Sequence, residues 1–142
     1  MNDDPHDLGR FTAAQDAGGT YRSAVAELRA GRKTGHWMWF VFPQIAGLGH
    51  SAMSRRYAIA SLVEARAYLD HDVLGPRLNE CAQILTELDG SSPEQIFGSI
   101  DAQKLRSSMT LFARAAPGDS VFGAVLDRYF GGAADEHTDA RL

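Results

Sequence analysis

The chain of 142 residues has a single cysteine, Cys81. An intrachain disulfide is therefore excluded, and so is a thiolate metal cluster. Basic residues are not in excess: 14 Lys and Arg stand against 18 Asp and Glu, for a net charge of −4 at neutral pH. A general nucleic-acid binder would show the opposite balance. No apolar run approaches the roughly 20 residues needed to span a bilayer. The opening MNDDPHDLGR is polar and acidic, without the charged and apolar parts of a secretory leader. The five histidines form neither HExxH nor a compact ligand spacing, so no metal is expected. No GxSxG marks a nucleophile, and no cofactor motif stands in a fitting context. Strand-like alternation, internal repeats and low-complexity segments are lacking as well. These absences point to a cytoplasmic protein with no membrane partner.

What is present suits one packed domain. Hydrophobic residues make up 44% and charged residues 23%, which favours a globule over disorder. Helix punctuation is frequent. Asp7 is placed to cap a first helix carrying Leu8 and Phe11. Thr20 is placed to cap a second with Tyr21, Ala24, Val25 and Leu28 inward, stopped at Gly31. SLVE reads as a capping box between Ser61 and Glu64, opening a helix with Leu62 and Leu69 inward. Leu74, Leu78, Cys81, Leu85 and Leu88 fall at helical spacing, with Cys81 an inert core thiol. Ser92, Pro93 and Gln95 form another start signal. A helix over about 101–116 follows, then one capped by Asp119 or Ser120 and ended by Gly131-Gly132. The prediction is a mainly α single domain over 1–142, with about six or seven helices and little or no sheet. Its core covers 8–132, and the polar tail 133–142 is expected to fray.

One stretch resists assignment. Gly35 to Ser51, GHWMWFVFPQIAGLGHS, contains both tryptophans. It is apolar on all sides and ends its run at Pro43, so it is either central in the core or the lining of a cavity.

On the 101–116 helix, a turn of about 100° per residue groups Asp101, Lys104 and Ser108 with Leu105, Met109, Leu111 and Phe112. Arg106, Thr110, Gln103, Arg114 and Ser107 form the opposite, solvated arc. An acid, an amine and a hydroxyl on an inward face have two explanations. Asp101 can serve the helix start, Lys104 can snorkel and Ser108 can bond back to the helix. Alternatively the three form the polar floor of an apolar pocket.

GLGHSAMSRRY adds Gly47 and Gly49 before a short helix capped by Ser51, with Arg55 one turn on. Glycines before a helix start expose N–H groups to an anion, and arginine suits phosphate or carboxylate. A plain capped loop is the rival reading. The letters also match GxGxxA with Asp70 downstream, but Pro43-Gln44 interrupts the required strand and no second strand precedes Asp70, so a dinucleotide fold is set aside. His36 is a core residue, an aromatic wall or a proton carrier; His50 is a candidate ligand contact.

The blocks ELRAGRKTGHWMWFVFPQIAGLGHSAMSRRYAI, EARAYLDHDVLGPRL, IFGSIDAQKLRSSMTLFA and VLDRYFGG resemble the domain of unknown function 1810 family. The likeness runs from about Leu8 to Gly132. It implies a mainly α-helical single domain and carries no activity, substrate or catalytic residue with it.

The functional expectation is a helical protein with an aromatic, anion-accepting pocket for a nucleotide or ADP-ribosyl-type metabolite. Trp37, Trp39 and Phe42 would form its wall. Gln44, Gly47, Gly49, Arg55, Tyr57, Lys104 and Ser108 would add contacts, and His36 or Asp101 would be the base if it is an enzyme. The alternative is an interaction or homodimer module built on the 36–44 segment. A homo-oligomer is left open.

Overall fold

The computed structural model describes residues 3–118 and 120–142. Helices α1 (Gly9–Asp16), α2 (Thr20–Arg29), α3 (Met38–Val41), α4 (Ala52–Arg56), α5 (Leu62–Asp70), α6 (Leu74–Glu87), α7 (Pro93–Ala115), α8 (Ser120–Phe130) and α9 (Glu136–Asp139) follow in order. Six of them have eight residues or more; α3, α4 and α9 are single turns. Among the described residues the sole β-type pairing is an isolated bridge between Ile45 and Ile59.

Local chemistry explains most boundaries. The α1 start differs from the expectation: Asp4, not Asp7, accepts from the N–H groups of Leu8 and Gly9 at 2.7 and 2.8 Å. Those two donors hold the Asp4 carboxyl below the usual carboxylate range. Asp7 instead takes a left-handed backbone, with φ of 51°. Thr20 is not an accepting cap either; its hydroxyl donates to the Ala17 carbonyl at 2.6 Å. Ser61 does accept from Glu64 N–H at 3.3 Å, but the Glu64 carboxylate turns inward to Arg10, 3.0 Å away. The Arg10 guanidinium thus takes the side chain that would have closed the box. At Ser92 and Gln95 the box is complete in both directions. The cap expected at Asp119 or Ser120 rests on side chains that lie outside the described ones.

Gly98 divides α7. Its φ of 79° and ψ of 164° belong to a region open to glycine and few others, so the segment is two helices, 93–97 and 99–115, set at a break. α7 packs on α5, α8 and α9, α6 on α2, α5 and α8, and α1 on α2 and α3. One apolar core results. Leu74, Leu78, Cys81 and Leu85 fill it from α6. Burial pushes the Cys81 thiol up to about 12, which leaves it an unreactive core group. A path of aromatic contacts crosses the interior, from Trp37 through Phe42 to Phe97, and from Phe40 through Tyr57, Phe11, Tyr68 and Phe112 to Phe122.

The C-terminal segment corrects a further expectation. It docks on α7 and covers part of the arc expected to be solvated. Ser107 and Thr110 are buried beneath it. Thr110 accepts from the Asp135 N–H at 2.9 Å, and Arg106 donates to the Ala133 and Ala134 carbonyls at 2.9 and 3.0 Å. Backbone carbonyls of a polar tail thereby gain partners that no apolar periodicity would reveal.

Candidate functional site

The aromatic segment is mostly solid interior. Trp37 is 1% exposed, and Met38, Phe40, Val41 and Phe42 are buried with it. The Trp37 indole donates to Glu27 Oε1 at 3.1 Å, which also accepts from the N–H groups of Thr34 and Gly35 at 2.6 and 2.7 Å. Desolvation raises the Glu27 carboxyl, but these donors together outweigh it and hold the group below its ordinary value. Trp37 and Phe42 are therefore core residues, and neither borders the hollows that hold the other candidates. Ser108 is likewise fully buried. Its hydroxyl and the Trp39 indole N–H have no hydrogen-bond partner among the described residues. Trp39 is the tryptophan that reaches the surface: it is half-buried, and the Lys104 ammonium lies 4.9 Å from its ring centre.

Three adjoining hollows take up the other candidates. The first is a cleft of about 490 Å³ between the loop after α3, the middle of α7 and the C-terminal segment. Gln44, Gly47, Gly49, His50, Lys104, His137 and Arg141 lie along it. The second, about 150 Å³, is bounded by Trp39, Arg55 and Tyr57 and shares Gln44, Gly47 and Gly49 with the cleft. The third, about 390 Å³, is bounded by Lys33, His36, Trp39, Phe97 and Asp101. His36, Arg55 and Lys104 thus face different hollows rather than a common one.

The loop that forms the cleft wall is closed at its base. Ala46 N–H donates to Ile59 O and Ile59 N–H to Gln44 O, both at 2.8 Å. Ser51 caps α4 by accepting from Ser54 N–H at 3.1 Å. Gly47, with φ of 96°, is overlaid by Arg141; a Cβ there would sit 2.8 Å from Arg141 Nε. Arg141 donates to Gly47 O at 3.2 Å and to His137 O at 3.0 Å. It spans the cleft from one wall to the other.

The acids of the site are already engaged. Asp101 lies between Lys33, at 2.8 Å, and Lys104, at 3.4 Å. Two ammonium groups share that carboxylate, and the Lys33 side chain is only 8% exposed. Lys33 also donates to Gly35 O. Asp135 accepts from Thr138 through its hydroxyl and N–H at 2.6 and 3.1 Å, from Ser107 at 3.0 Å and from Gln103 at 3.2 Å. Asp101 is therefore held as an ion-pair partner rather than as a free base. The cleft lining sets Lys104 and Arg141 against Asp135, a formal excess of one positive charge, and its donors suit an anion. Among the described residues no group of three His, Cys, Asp or Glu side chains gathers as metal ligands.

Asp135, His137 and Arg141 went unsought in the sequence, although Asp135 and Thr138 carry a readable helix-start pattern. An Asp three residues before a Thr, in DEHT, is the N-cap spacing that the structure uses.

A helical domain with a cleft bordered by polar side chains is the class that this geometry defines. Residues 5–142 match the family described as Protein of unknown function (DUF1810), and the chain belongs to that family. Among solved structures, the chain is similar to the conserved hypothetical protein Rv1873 from Mycobacterium tuberculosis. The identity is 57%, 98% of each chain is covered, and the TM-score is 0.95. No curated protein matches. The family match extends through the C-terminal segment, so the cleft wall formed by α9 belongs to the domain.

Proposed function

We propose that the chain binds an anionic, phosphate-bearing small molecule in the cleft, of nucleotide or ADP-ribosyl type. One observation carries the reading: Lys104, His50, His137 and Arg141, from three separate stretches of a chain of net charge −4, border one concavity. Of the carboxylates nearby, Asp101 is offset by Lys33 and Lys104, and Asp135 is turned to the hydroxyls of Ser107 and Thr138. Arg141 now bonds two neutral carbonyls; a phosphate oxygen would give it charge-assisted bonds, which are roughly twice as strong. The rival reading, an interaction module on residues 36–44, has little surface to use, since most of that segment is interior. A cytoplasmic setting fits the buried lone thiol. No helix among the described residues is long and apolar enough to cross a membrane.

Lys104→Met tests the reading cleanly. Lys33 keeps Asp101 paired in that variant, so stability should fall by less than about 1 kcal/mol. Calorimetric titration with ADP should show binding to the wild type and a loss of about tenfold in the variant. Wild-type protein that gives no heat and no thermal shift with ADP or ADP-ribose would refute the proposal.

A further inference from the structure

The hollow beside the cleft has a different chemistry. Met38, Trp39 and Phe97 are its apolar lining, and Lys33, His36, Ser99 and Asp101 are its polar groups. An apolar floor with a few polar groups that fix orientation is the usual lining for a flat ring. Ile100 borders both this hollow and the cleft, and it is 74% exposed. No other large hydrophobic among the described residues is as open to solvent. Lys104 lines the cleft while its ammonium rests on the Trp39 ring, and its partner Asp101 lines the hollow. One ion pair therefore forms the ridge between an aromatic compartment and a cationic one.

We propose that the ligand lies across this ridge, with its planar ring in the Trp39–Phe97 hollow, its phosphates in the cleft and the part between them on Ile100. The proposal rests on the cleft reading and adds the seat of the ring. His36 and the free lone pairs of Asp101 would then meet the hydrogen-bonding edge of a base, and Ile100 would gain the apolar contact it lacks in the free protein. Recognition is divided: charge selects the phosphates, and the hollow selects what they are attached to.

Two probes separate the halves. Inorganic pyrophosphate carries the charge without the ring, and ADP carries both. Calorimetry on the full chain should give ADP an affinity about tenfold or more above that of pyrophosphate. Ser99 lines the hollow and is exposed, so Ser99→Trp obstructs the hollow without touching the core; Ile100→Ala removes the contact at the ridge. Both variants should keep the wild-type melting temperature, lower ADP affinity about tenfold and leave pyrophosphate within about twofold. Equal wild-type affinity for the two probes, or unchanged ADP binding in both variants, would overturn the seating of the ring and leave the cleft standing. Parallel loss of both probes in the variants would overturn the division into two compartments. Wild-type protein that binds neither probe would overturn the cleft reading along with this one.

Discussion

The aromatic segment at 36–45 and the C-terminal segment at 133–142 both border the candidate site, yet they are held by different forces. The first is fixed by burial: Trp37, Met38, Phe40, Val41, Phe42 and Ile45 are all interior. The second contributes little apolar side chain and is fixed by polar contacts, centred on Asp135 and on the Arg114–Asp139 pair. Apolar burial is non-directional and gains from every methylene removed from water. Hydrogen bonds add about 1 kcal/mol net each, but a buried partner left unmade is costly. The aromatic segment should therefore fail only with the whole fold, whereas the C-terminal segment can open on its own.

Trp37→Ala should have the largest effect, about 3–5 kcal/mol by denaturant titration, because it empties a large buried site and frees Glu27 from one donor. The loss should appear globally, and Cys81 should become accessible to a thiol reagent in step with unfolding. Asp135→Ala comes next, at about 2–3 kcal/mol, since Ser107, Thr138 and Gln103 lose a shared acceptor. Hydrogen exchange in that variant should rise in 133–142 while α6 stays protected. Equal exchange increases in both places would erase the distinction between the two segments.

Glu27→Gln should cost on the order of 1 kcal/mol at neutral pH and should change the acid limb of the stability curve. The folded carboxyl sits below its ordinary value. Its contribution is thus fully present above the unfolded pKa of about 4.3 and is lost as pH falls through the lower folded one. The variant should show a flatter decline in that window; an unchanged slope would count against the three-donor clamp. Arg114→Ala should have the smallest effect, below about 1 kcal/mol, because its pair with Asp139 is solvent-exposed. The hydrogen bond from Arg114 keeps the Asp139 carboxyl low, so this small term also disappears at acid pH and shrinks with salt.

Helix identity was largely legible in the sequence, because caps and 3.6-residue spacing are local. The run of Leu74, Leu78, Cys81 and Leu85 and the Ser92–Gln95 box needed no tertiary information. The site was less legible for a corresponding reason. Whether Trp37 or Trp39 faces outward depends on a single turn, α3, whose residues are apolar on every side. The covering of Ser107 and Thr110 depends on a segment about 25 residues away whose polarity reads as solvation. Asp101 and Lys104 share a helix face, and their spacing makes the pair readable. Lys33, which completes the cluster, comes from a loop before α3 and left no periodic trace.

The small bridge between Ile45 and Ile59 has a consequence for the segment that it closes off. It joins the two ends of residues 46–58 directly, so the backbone enters and leaves that excursion at a fixed point. Substitutions in GLGHSAMSRR can then remodel one rim of the cleft while the helices beneath keep their positions.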